Sequence, residues 1–261
     1  MQATSTLYQR IINGEHWFEV SVAIGEPGRL ITENSDKILF GGTAILVARS
    51  GADGGYNQCM LKNVTVTRQI FSGDTPEIGK CVSAEIDLEM LLPSAEIPRM
   101  AQIVPYVRAC NATQTSEWIQ KGVYYIDTRE ICDDGSAPAT LKIHGYDAML
   151  TSEQDFPATE NMTWPAADID VVQLIADTMG VNVDSRTREL MNKAYAVQHP
   201  GTLYTCREVL GYIAAMYCGN FIFTDLNELL FVPLASIPRE TQYLIDHVGY
   251  ALVFGGTRIL V

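Results

Sequence analysis

The chain has 261 residues, 47% hydrophobic and 19% charged, the balance of a folded body of one large or two ordinary domains rather than a disordered tail. Acids outnumber bases by 31 to 18, giving a net charge of −13 with no basic run, which excludes tight gripping of nucleic acid, because phosphates must be neutralised by Lys and Arg. No apolar run approaches the roughly 20 residues that cross a bilayer, so no membrane insertion is expected, and the N-terminus lacks the basic-then-apolar order of a signal peptide.

The first 150 residues read as a β domain, a barrel or sandwich. Residues 29–47 suggest strand, turn, strand, tight turn, strand. Cys81–Met90 alternates strictly: Val82, Ala84, Ile86, Leu88 and Met90 share one face, and Glu85, Asp87 and Glu89 share the other. Period two with one apolar face marks a half-buried strand. Residues 103–109, 118–130 and 139–150 are likewise rich in β-branched and aromatic residues and are separated by Gly, Asp, Asn, Ser and Pro turns.

Near residue 160 the period changes, and residues 151–240 read as an α+β insert. Val171, Val172, Leu174, Ile175 and Met179 predict a helix over 168–180, with Asp168 or Asp170 to cap its start and Gly180 to end it. A short helix is expected over 185–193. Thr205 and Glu208 have capping-box spacing ahead of a helix that runs toward Gly219. Residues 221–234 then read as a hairpin turning at 225–227.

The last twenty-one residues, 241–261, repeat an earlier phrase. Residues 29–47 align with 243–261 without a gap, nine of nineteen positions being identical, and ILFGGTAILV beginning at Ile38 faces LVFGGTRILV beginning at Leu252. Gly41–Gly42 and Gly255–Gly256 suit two-residue hairpin turns, where positive φ favours glycine. The repeat predicts the first strands of a second, duplicated β domain that continues past Val261. The alternative is that both stretches pair within one sheet.

The stretches SEWIQKGVYYIDTRE (116–130), LKIHGYDAML (141–150) and TCREVLGYIAAMYCGNFIFTDLNELLFVPL (205–234), with the two FGGT phrases, resemble phage tail hub proteins: the central baseplate hub of contractile tails and the N-terminal part of tail-associated proteins of long non-contractile tails. The resemblance covers about half of the chain. It implies a mainly β fold with an α+β insert, in which a tail-tube-like β-barrel domain and a small helix–helix–hairpin domain precede a second barrel. It further implies a homotrimer whose six barrels adapt a hexameric tail tube to a trimeric tip, with tube and tip proteins as partners, in a virion tail made in the bacterial host cytoplasm. On that view Glu85, Asp87 and Glu89 face the lumen and repel passing DNA; otherwise they form an ordinary solvated strand face.

The sequence carries no chemistry of its own that can be pointed to. There is no G-x-S-x-G, no H-E-x-x-H and no P-loop, and neither the six dispersed cysteines nor the four scattered histidines have metal-ligand spacing. No enzyme activity, cofactor or metal is therefore expected. His144 beside Asp147 has the makings of a base and its orienting carboxylate, although the favoured reading is a hydrogen-bonded structural histidine. Two alternatives remain: the non-catalytic N-terminal part of a tail-associated cell-wall hydrolase, and a carbohydrate-binding module. The contexts of Trp17, Trp118 and Trp164 suit burial and so count against the second.

Overall fold

The computed structural model describes residues 4–25, 55–71, 73, 75–93, 97–98, 100–133, 135, 138–157, 162–191, 195–200 and 203–234, with strand pairs at 39–40/43–44 and 253–254/257–258. A short helix not expected from the sequence comes first: α1 (Thr6–Ile12) is capped by Ser5, whose hydroxyl accepts from the Tyr8 N–H at 3.1 Å, and is anchored by the buried Ile11. Strand β1 (Trp17–Gly25) follows, then the two-residue strands β2 (Leu39–Phe40), β3 (Thr43–Ala44) and β4 (Tyr56–Asn57).

The rest of the first half is strand: β5 (Leu61–Thr67), β6 (Glu85–Leu91), β7 (Gln102–Cys110), β8 (Ile119–Gln120), β9 (Tyr124–Cys132) and β10 (Thr140–Asp147). They build one antiparallel sheet in the order β4-β1-β7-β9-β10-β6-β5, with β8 also on β7. Pairing of β1 with β7 is continuous from Trp17 opposite Cys110 to Gly25 opposite Gln102. Val22 on β1 and Ile86, Leu88 and Met90 on β6 lie in a single core with Ile103, Tyr124, Leu141 and Ile143. Val64 and Val66 of β5, the far edge strand, pack against that same core. Side chains from both ends of a sheet can share one core only if the sheet coils on itself, so the architecture is barrel-like, although β4 and β5 are not paired among the described residues.

Two backbone irregularities shape this sheet. The strand expected over 118–130 divides at residues 121–123, where Gly122 has φ 122° and an added Cβ would stand 2.6 Å from the Tyr124 ring. The β9–β10 ladder shifts register between His144 and Gly145, and a Cβ on Gly145 would meet the Tyr125 carbonyl oxygen at 2.5 Å. Close backbone approach of this kind demands glycine.

The second half contains a 3-10 turn (Ala148–Glu153), β11 (Ala166–Ala167), α2 (Asp168–Met179), β12 (Asn182–Val183), α3 (Ser185–Leu190), β13 (Ala196–Val197), α4 (Cys206–Met216), β14 (Gly219–Phe223) and β15 (Glu228–Pro233). Val171, Val172, Ile175 and Met179 of the α2 stripe are buried, Leu174 is half-buried, and Gly180 closes the helix at φ 72°, but Ala167, not an aspartate, occupies the N-cap. Asp168 instead is fully buried, its carboxylate accepting from the Ile169 N–H and from the Tyr217 hydroxyl. At α4 both halves of the Thr205–Glu208 capping box form. Strands β12, β15 and β14 make a small mixed sheet beneath these helices.

The two halves share a strand. Residues 79–82, from the first half, run parallel to β14: the Gly79 N–H donates to the Gly219 carbonyl, Phe221 to Lys80, and Val82 to Phe221, each at 2.9 Å. The chain then continues directly into β6. Finally, β16 (Val253–Phe254) pairs with β17 (Thr257–Arg258) in the same register as β2 with β3, Phe254 opposite Thr257 as Phe40 is opposite Thr43. Gly41, Gly42, Gly255 and Gly256 lie outside the described residues.

Candidate functional site: the outer sheet face and the junction beneath it

Alternation along β6 turns Ile86, Leu88 and Met90 inward and leaves Glu85 and Glu89 half-exposed and Asp87 exposed on the outer face. Neighbouring strands extend that face. Thr67, Thr65 and Asn63 of β5 stand opposite Glu85, Asp87 and Glu89, while Tyr146, His144 and Lys142 of β10 stand opposite them on the other side. Glu130 of β9 lies across from Lys142. The row is acidic but interrupted: His144 Nδ1 is 2.8 Å from Asp87 Oδ1, and Lys142 sits between Glu89 and Glu130. Asn63, Asp87, Glu89, Glu130, Lys142 and His144 line a shallow concavity of about 360 Å³.

His144 therefore has a carboxylate partner, but it is Asp87 across the ladder, not Asp147 along the strand. Residues three apart on a strand point to opposite faces, so Asp147 turns inward. There Oδ2 accepts from the Ala84 N–H at 2.8 Å and Oδ1 from the Met149 N–H at 3.0 Å. Burial pushes its carboxyl up to about 6, against the lowering effect of those two hydrogen bonds and of the Arg68 and Arg207 charges. No base and orienting carboxylate are assembled at 144 and 147.

Asp147 belongs to a polar junction between the coiled sheet and the small mixed sheet. Arg68, just past β5, pairs with Asp225 in the β14–β15 turn and donates to the Lys121 carbonyl at 3.0 Å and the Tyr124 hydroxyl at 3.2 Å. Arg207 of α4 donates to Ser83 Oγ at 2.9 Å and Ser152 Oγ at 3.2 Å and pairs with Glu153 at 3.0 Å. Asn220, fully buried, uses its whole amide: Oδ1 accepts from the Lys80 N–H, and Nδ2 donates to the Ile70 and Glu77 carbonyls. One side chain thus holds both ends of the 70–80 loop. Its only trace in the sequence is an asparagine inside an apolar strand, CGNFIF.

The aromatic residues divide. Trp118 lies beneath the Arg108 guanidinium, 4.3 Å from the ring centroid, and Trp164 packs edge-on against Phe156 and His199. Trp17, expected to be buried, is 51% exposed and Phe18 beside it 45%. β4 pairs with β1 at Ser21 and Val22, and nearer the start of β1 the Gln58 side chain donates to the Phe18 carbonyl at 3.3 Å. Among the described residues no group of three or more His, Cys, Asp or Glu side chains is placed to hold a metal ion, and no helix is long and apolar enough to cross a membrane.

No protein-family model matches the chain, and no curated protein matches it in sequence. Solved structures do match in fold. The 43 kDa tail protein of prophage MuSo2 from Shewanella oneidensis superposes with a TM-score of 0.50 at 11% identity, over 85% of this chain and 57% of that one. A tail protein from Neisseria meningitidis MC58 gives 0.49 at 10% identity, over 90% and 53%, and the Francisella PdpA–VgrG complex gives 0.44 at 8%, over 82% and 31%. The chain spans a little over half the length of the MuSo2 protein. Its mainly β architecture, a large antiparallel sheet with a few helices, is the fold of a prophage tail protein.

Proposed function

We propose that the chain is a structural subunit of a phage or prophage tail, without catalytic chemistry of its own, that acts in a hub joining the hexameric tail tube to a trimeric tip. The observation that carries this reading is the pair of matching hairpins. The phrases at 38–47 and 252–261 share their sequence, and their strands share one register, Phe40 opposite Thr43 and Phe254 opposite Thr257. A subunit that contributes two equivalent β units lets three copies occupy six positions of a ring, which is what joining sixfold to threefold symmetry requires. The tail-protein fold supports the same assignment.

Within such a ring, the outer face bearing Glu85, Asp87, Glu89 and Glu130 faces the lumen, where fixed carboxylates repel DNA phosphates and let the genome pass without adhering. The partners are further copies of the chain and the tube and tip proteins, and the place of action is the virion tail. Light scattering on the chain tests the proposal. Three copies per particle are expected. A monomer at all concentrations would remove the hub.

A further inference from the structure

The coiled sheet has a cavity where its two ends face each other. Val20 of β1 stands opposite Val107 of β7, and Val22 stands opposite Pro105. Val20, Pro105 and Val107 form one wall, and Val64 and Val66 of β5, at the far end of the sheet, form the other. Val20, Val64 and Val66 pack against the core, yet all three, with Val107, remain half-buried. The space they line measures about 370 Å³. Short side chains account for it: the neighbouring core is filled largely by Ile, Leu, Met and Tyr, whereas valine and proline do not reach far enough to close the gap.

Three charged side chains in contact with one another line the same cavity: Arg68, Lys121 and Asp225. Each is held from outside it. The Lys121 N–H donates to the Pro105 carbonyl at 2.8 Å, the Gln120 side chain donates to the Asp225 carbonyl at 2.7 Å, and Arg68 donates to the Tyr124 hydroxyl. Asp225 Oδ1 pairs with Arg68, while its Oδ2 is 4.0 Å from the Lys121 ammonium, too long for a hydrogen bond. Two cations therefore share one carboxylate, and Lys121 Nζ donates to no acceptor among the described residues. Asp147, whose charge also reaches Arg68, is turned to the Ala84 and Met149 N–H groups and does not line the cavity.

We propose that this cavity binds a medium-chain aliphatic carboxylate, its chain between the valines and its carboxylate on Lys121 and Arg68. Ligand sites are typically concavities of about 300–1,000 Å³, largely apolar with a few fixed polar groups, in barrel mouths and between structural units. This one is walled by the coiled sheet and by the β14–β15 turn of the insert. At about 30 Å³ per heavy atom it holds roughly twelve atoms, room for the eight carbons and two oxygens of octanoate. An aliphatic amine of the same length would set its ammonium against Lys121 and Arg68, and an alcohol would leave the shared carboxylate outnumbered. This binding activity is separate from the tail-assembly reading and does not rest on it.

Isothermal titration calorimetry of the full chain tests the site, in about 0.15 M salt so that the repulsion from its net charge is screened beyond roughly 8 Å. Octanoate should bind one to one, about fifteenfold tighter than hexanoate, since each buried methylene contributes about fourfold. It should bind at least tenfold tighter than octylammonium. Lys121→Gln should weaken octanoate about tenfold, through loss of a charge-assisted hydrogen bond, and leave 1-octanol unaffected. Val66→Thr, which puts a hydroxyl into the apolar wall, should weaken octanoate and 1-octanol alike. Should Val66→Thr fail to fold by circular dichroism, Lys121→Gln, at a partly exposed side chain, decides alone. No saturable octanoate binding, equal binding of octylammonium, or an octanoate affinity unmoved by Lys121→Gln overturns the site. Each of those results leaves the tail reading standing, because that reading is decided by the number of copies per particle.

Discussion

At the scale of single residues, the junction side chains carry the sharpest expectations. Asn220→Ala strands the Lys80 N–H and the Ile70 and Glu77 carbonyls in a dry setting, at a cost of about 2–4 kcal/mol by chemical denaturation. Asn220→Asp, although isosteric, should cost at least as much, because an acceptor then faces two carbonyl oxygens. Asp147 makes a prediction in pH. Its folded carboxyl is raised to about 6 from the ordinary 3.8, so the protonated form is the better one in the folded state. The corresponding stability is complete below about 3.8 and is lost as pH rises through about 6, a span of roughly 3 kcal/mol. Asp147→Asn should remove that dependence: the gap between wild type and variant, measured by urea denaturation from pH 4 to 7.5, should change steadily in the variant's favour. A gap that stays constant with pH would mean that Asp147 does not titrate in this range.

At the scale of the element, β6 separates two kinds of side chain on one strand. Ile86→Ala opens a cavity in the coiled-sheet core and should cost about 2–5 kcal/mol. Replacing Glu85, Asp87 and Glu89 together by Lys changes only the outer face, at a cost below that of the single core truncation. The charge-reversed protein should retain DNA on a filter at low salt while the wild type does not, with binding lost as salt is raised. Failure of the reversed protein to retain DNA would remove the argument that this face governs DNA passage. Strand β6 also shows how much of an element can be read in advance. Its alternation was plain in the sequence because one face meets a core. The break at residues 121–123 was not plain, since YYIDTRE and WIQ are equally strand-like, and only the close approach of the Gly122 backbone to the Tyr124 ring separates them. Helix α1 escaped notice because seven residues with one buried side chain leave too little periodicity to see.

At the scale of the whole molecule, the strand shared through residues 79–82 ties two cores together. The sheet built from residues 17–147 and the mixed sheet of residues 182–233 should therefore unfold in one calorimetric transition. Asn220→Ala, which loosens the lead-in to that strand, should broaden or split the transition. Two separate transitions in the wild type would show that the shared strand does not couple the halves. A boundary at residue 150 describes the order of elements along the chain but not this coupling, because the strand that completes the second unit is supplied from within the first.

What the sequence determined by itself is whatever depends on near neighbours along the chain. The alternation of β6, the Thr205–Glu208 box, the left-handed stop at Gly180 and the repeated FGGT phrase are all set by spacings of two to four residues or by direct identity. What only the tertiary structure decided is which distant groups meet. Asp87 rather than Asp147 reaches His144 because strand pairing, not sequence distance, chooses cross-strand neighbours. Asp168 became a buried hydrogen-bond centre rather than a cap because Tyr217, 49 residues away, closes over it. Trp17 is exposed although its backbone pairs with Cys110 of β7, because pairing joins backbones and only packing across the sheet face covers a side chain. Each of these outcomes follows from long-range packing, which fixes the surroundings of a side chain only once the whole chain has been brought together.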